Sequence, residues 1–107
     1  MVRCVLISEE EGNISEIETP LGSDMYKILK GTSTFIGQWP EIDVVILKCG
    51  ESHFDLLENR NILPRPFASE RVDGPILLVR MDENSEPQDF TLKEYQEFTR
   101  PRSQSLP

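Results

Sequence analysis

The sequence predicts one α+β domain over residues 1–100, with a flexible C-terminal tail at 101–107. Its architecture reads as a mixed or mostly antiparallel sheet of about five strands with two short helices. Three observations carry this. Several short runs have β-type patterning, with "DVVILKC" and "PILLVRM" the most apolar. Two segments instead repeat their apolar residues at helical spacing, between start and stop signals. The order β β α β β (short element) β α does not alternate strictly, which disfavours a doubly wound parallel sheet and suggests helices on one face.

"MVRCVLIS" reads as the first strand. Val2, Cys4 and Leu6 share one face and Val5 and Ile7 the other, so both faces ask for cover. "EEEGN" turns the chain, with Gly12 and Asn13 at the reversal. "ISEIET" is a polar strand suited to an edge, where its glutamates discourage further pairing. In "LGSDMYKILKG", Leu21, Met25, Ile28 and Leu29 form one helical stripe. Ser23 is the expected cap, Asp24 suits the positive end of the dipole, and Gly31 is the expected exit. "TSTFIGQW" alternates as a strand, placing Phe35 and Trp39 on one face and Thr34 and Ile36 on the other; Gly37 suggests a bulge or a close contact. "DVVILKC" belongs mid-sheet. "ESHFDLLENRN" fits a short strand or one helical turn equally well. "PILLVRM" is another buried strand and "DENSEPQD" a solvated loop. "TLKEYQEFTR" is the second helix, with Thr91 and Glu94 as a capping box and Leu92, Tyr95 and Phe98 on one face.

Charge narrows the function. Nineteen acids against eleven bases give a net −8. Direct binding to nucleic-acid phosphate needs a basic footprint, and so does attachment to an anionic membrane. Both are disfavoured. The acids are scattered among bases, which also weakens an acidic DNA-mimic reading. Cys4 and Cys49 lie inside apolar runs and read as buried thiols of a reduced protein. With no secretion signal and no apolar run of about 18 residues, an intracellular protein is expected, not secreted and not in a membrane.

Chemistry is sparse. One histidine and two distant cysteines cannot form a zinc site of ordinary spacing. The run from Asp82 begins like a calcium loop, but Pro87 stands where that loop needs glycine and Lys93 where it needs glutamate. No phosphate-cradling glycine motif and no nucleophile elbow occurs. No metal, cofactor or catalytic residue is therefore assigned. Cys49 and His53, four apart with Asp55 nearby, are the nearest approach to a catalytic pair, against the plainer reading of a buried thiol and a loop histidine. Phe35 and Trp39 lack the interleaved bases of a nucleic-acid stacking platform, so core or partner packing is the better account.

The remaining feature is "NRNILPRPF". Pro64 and Pro66 force Leu63 and Arg65 towards extended backbone. Residues 60–71 hold three arginines and one acid, a local +2 in an acidic chain. One account is a loop anchored on the core by Ile62, Leu63 and Phe67. The other is a stiff recognition ridge with an apolar tip. Together with "VDGPILLVRMDEN" and "DFTLKEYQEF", this stretch resembles a family of small uncharacterised proteins from large algal DNA viruses, the phycodnaviruses. It resembles more loosely a domain of unknown function in phages and plasmids. The likeness spans residues 43–98, with Asn61, Leu63, Pro64, Gly74 and the Asp89–Thr91 helix start at pattern positions. It implies a viral or mobile-element setting, in host cytoplasm or virion, and no particular activity.

The expected function is a non-enzymatic protein–protein interaction module, in host interaction or as a minor virion protein, binding a protein partner or a second copy. Arg60, Leu63, Arg65 and Phe67 are the candidate contact residues, with Phe35 and Trp39 as further anchors. A small Cys/His-dependent enzyme and an acidic DNA-mimic inhibitor are the alternatives.

Overall fold

The computed structural model describes residues 1–50, 57–61 and 72–99. Strands β1 (Val2–Ile7) and β2 (Ile14–Thr19) are followed by helix α1 (Ser23–Leu29). Strand β3 (Ser33–Trp39), a single 3-10 turn at Pro40–Ile42 and strand β4 (Val44–Cys49) come next. Strands β5 (Ile76–Met81) and β6 (Pro87–Gln88) and helix α2 (Leu92–Thr99) complete the set. The sheet runs β2-β1-β5-β4-β3, with β6 also on β5, and every pairing is antiparallel. This is an α+β fold.

The most apolar strand takes the middle. β5 pairs β1 through Ile76–Leu78 and β4 through Ile76–Arg80, and it is buried over Ile76–Val79. Two-sided apolar strands create two cores. Val5, Ile7, Val44, Ile46, Ile76 and Leu78 face one way and pack with Phe90 and Tyr95 of the α2 region. Cys4, Leu77 and Val79 face the other way and pack with Leu21 and Leu29 of the α1 region. The helices thus cover opposite faces, which corrects the expectation of helices on one face. β1, β4 and β5 each expose an apolar row on both sides, and a single helical layer cannot remove both rows from water.

α1 turns Met25, Ile28 and Leu29 of its predicted stripe toward the core, Leu29 fully buried and the other two half-buried, while Leu21 is buried from a left-handed position before the helix at φ 65°. The ends of α1 also differ from expectation. Gly22 occupies the cap position with no side-chain cap, and Ser23 is the first helical residue. At the other end Lys30, not Gly31, takes the left-handed conformation, and both Lys30 and Gly31 amides donate to Tyr26 O. α2 matches its signals. Glu94 N donates to Thr91 Oγ1, and Thr91 N donates back to Glu94 Oε1, each at 3.2 Å. This closes the capping box. Arg80 seats α2 on the sheet. Its Nε donates to Ile42 O at 3.0 Å, Nη1 lies 2.9 Å from Glu94 Oε2, and the guanidinium sits over the Phe90 ring.

"DENSEPQD" is exposed as expected from Glu83 to Asp89, but it holds a built turn and a short strand. Asp82 Oδ1 accepts the amides of Asn84 and Glu86 at 2.9 Å, and the chain returns as β6 on β5. The amide of Phe90 then donates to Arg3 O, so the segment continues beside β1.

Candidate functional site

The turn after β1 and residues 57–61 build the candidate site. In the turn, Ser8 N donates to Asn13 O and Asn13 N to Glu10 O. Gly12 sits at φ 82°, a conformation glycine adopts without strain. Residues 57–61 cross from this turn to the segment leading into β5. Arg60 N donates to Glu9 O, Asn59 N to Val72 O, and Gly74 N to Leu57 O; Glu58 bridges Asp73. Glu58 is in an isolated β-bridge and Asn61 in a bend, with neither a helix nor a strand over 57–61; the rest of the ambiguous stretch, 51–56, lies outside the described residues.

Two buried asparagines hold the crossing. Asn59 Nδ2 donates to Ile7 O at 3.2 Å and Gly74 O at 3.1 Å. Asn59 Oδ1 accepts Asn61 N at 3.1 Å. Asn61 Nδ2 donates to Ser8 O and Glu10 O at 2.7 and 2.9 Å, and its Oδ1 accepts Gly12 N at 2.8 Å. No buried side-chain polar atom among the described residues lacks a partner. Such a fully satisfied network fixes one geometry, because every alternative leaves a buried amide unpaired. The i, i+2 asparagines in "NRN" place their side chains inward and turn Arg60 outward, where it is exposed.

The result is a recess of about 420 Å³ lined by Glu9, Glu10, Glu11, Leu57, Glu58 and Arg60. Leu57 is 64% exposed at its margin. Glu9 is already engaged, with Oε2 2.7 Å from Lys30 Nζ at the end of α1. Among the described lining residues, the remaining carboxylates form a negative wall beside the Leu57 side chain and the Arg60 guanidinium. Among the described residues no group of three His, Cys, Asp or Glu side chains is placed to hold a metal ion.

Of the sequence-predicted contact residues, Arg60, Phe35 and Trp39 fall among the described residues, and these three are not brought together. Arg60 lines the recess, whereas Leu63, Arg65 and Phe67 lie outside the described residues. Phe35 is 56% exposed on β3, three strands from β1 and about 14 Å away at ordinary strand spacing. Trp39 is only 2% exposed and packs against Tyr95 and Phe98, at centroid distances of 6.2 and 4.6 Å. Its expected role as an exposed anchor is corrected accordingly: it is a core residue. Nor do the two aromatics share a face. The register jumps from Phe35↔Leu47 to Gly37↔Ile46, so Ile36 is an extra residue and the alternation inverts across it. Ile36 and Trp39 serve the α2-side core, and Phe35 sits opposite Leu47 on the α1 side.

The two thiols are both free and buried, and Cys49 Sγ lies 3.6 Å from Lys30 O. His53 and Asp55 lie outside the described residues. Sequence reasoning missed Leu57, Asn59 and the glutamates of the turn as members of one site. The doubled asparagine in "NRN" was the available signal, but its partners are some fifty positions away.

A family of unknown function, DUF5880, matches residues 5–98. The chain belongs to DUF5880. The matched span of this DUF5880 chain runs from the first strand to the last helix and takes in the asparagine network and the recess. No curated protein and no solved structure matches it. No helix among the described residues of the DUF5880 fold is long and apolar enough to cross a membrane.

Proposed function

We propose that the chain is a non-enzymatic protein-binding module whose point of contact is the recess beside Leu57 and Arg60. One observation carries this reading: two buried asparagines hold an exposed leucine and an exposed arginine at a defined recess. A well-fixed crossing segment that still leaves a large apolar side chain in water suits a contact made elsewhere. The partner is a protein segment that covers Leu57 with an apolar side chain and sets a cation among Glu10, Glu11 and Glu58. The viral setting implied by the motif resemblance belongs to the same proposal, with a host or virion protein as the partner.

The test is affinity capture with wild type, a Leu57→Ser/Arg60→Ala double variant and a distant Glu83→Ala control. Capture should fail for the double variant and persist for the control, with native circular dichroism throughout. Equal capture by all three would reject the recess as the contact.

A further inference from the structure

We propose that two copies of this chain associate through the outer edge of β3, the last strand of the sheet among the described residues, joining their sheets into one. This rests on the sheet edge and is independent of the recess. The two outer strands differ. β2 carries Glu16 and Glu18, the charged guard expected of an exposed edge. β3 carries no charge, and residues 31–40, "GTSTFIGQWP", are ten consecutive uncharged residues in a chain that is 28% charged.

The hydrogen-bond pattern says which groups are on offer. Gly50 N donates to Thr32 O at 2.7 Å, so Thr32 and, two residues on, Thr34 turn their main-chain groups toward β4. Ser33 and Phe35 therefore turn theirs outward. Among the described residues β3 pairs with β4 alone. The bulge at Ile36 bends the strand beyond Phe35 and leaves the Ser33–Phe35 end as the pairing segment. An antiparallel two-fold centred on Thr34 places Ser33 opposite Phe35 of the second copy, and Phe35 opposite its Ser33. That register makes four main-chain hydrogen bonds. It also sets the two Phe35 rings diagonally on one face, about 7–8 Å apart, within reach of aromatic side chains.

Charge selects the occupant. A second copy of an acidic chain is repelled wherever carboxylates meet, and least along a neutral strand. A partner recognised by charge finds nothing to read on β3. A second copy supplies a strand of matching length and chemistry, and self-pairing closes with two-fold symmetry, leaving no further edge of this kind exposed.

Sedimentation equilibrium on the full chain up to millimolar concentration tests this. Wild type should approach twice the monomer mass. Ser33→Pro removes an outward amide without touching the β4 ladder, and Phe35→Lys adds an edge charge. Each should weaken association at least about tenfold. A monomeric wild type, or equally tight dimers from both variants with native circular dichroism, overturns the proposal. If a variant does not fold, amide exchange on wild type decides. Protection of Ser33 and Phe35 should rise with concentration, and a dimer that leaves those two amides unchanged overturns the edge.

Discussion

Replacing Asn59 is the sharpest test of how the site is held. The residue is 6% exposed, and its side chain takes part in four hydrogen bonds, two as donor and two as acceptor. Asn59→Ala deletes all four. Ile7 O and Gly74 O each keep a second lone pair, so their losses are discounted. The amide of Asn61 has no such reserve and stays buried without its acceptor. At about 1 kcal/mol net per bond, and more for an orphaned buried donor, the cost is roughly 3 kcal/mol. For a domain of this size that lowers the melting temperature by about 12–20 °C. Thermal and urea unfolding followed by circular dichroism read it directly. Asn59→Asp discriminates further. It sets a carboxylate oxygen against the carbonyls of Ile7 and Gly74, so at neutral pH it must be at least as damaging as alanine. A loss below about 1 kcal/mol for alanine, or a milder effect for aspartate, would refute the network as described.

Further outcomes follow from other parts of the fold. Arg80→Ala should cost about 2 kcal/mol, because it strips charge-assisted bonds to Ile42 O and Glu94 and the stack on Phe90, and denaturant unfolding measures it. For Glu94, burial pushes the carboxyl up, but the Thr91 amide and the Arg80 bond and charge outweigh it and hold it below the ordinary 4.5. The Glu86 amide is the main cause holding Asp82 below its ordinary 3.8. A depressed carboxylate stabilises above its unfolded value and loses that contribution as pH falls through the folded one, so stability should drop below pH 4.5 and drop less in Glu94→Gln. Burial pushes the Cys4 thiol up to about 11, so a thiol reagent at pH 8 should label it only at the rate of opening, and both cysteines promptly in denaturant. Trp39→Ala should cost about 3–5 kcal/mol in denaturant unfolding, as expected of a core aromatic.

The features legible in the sequence were those whose causes are local. The two-faced pattern of β1, the Leu21–Leu29 stripe and the Thr91–Glu94 box each depend on residues within a few positions. The strand pairing around Gly37 was half legible. The glycine marked an irregularity, but a one-residue insertion inverts every later side chain, and only the register with β4 reveals it. The recess was illegible because Asn61 answers to Ser8, Glu10 and Gly12, which one sequence does not bring near it. The helix layering failed for a related reason. The expectation of helices on one face rests on element order alone, whereas the apolar rows on both sides of β1, β4 and β5 already ask for two covers; the paths that carry α1 and α2 to opposite faces depend on contacts distant in the chain.

The position of β5 has a consequence for synthesis. The β1–β2 and β3–β4 hairpins are each complete early in the chain, yet among the described residues neither pairs with the other directly, and the strand that pairs with both ends at Met81. A nascent chain thus holds two half-sheets whose inward borders stay open until that wedge emerges and zips both at once. Truncation before Met81 would not yield a smaller working protein but two separate ribbons with sticky flanks. Cooperative folding of the whole waits on its most hydrophobic late-arriving strand.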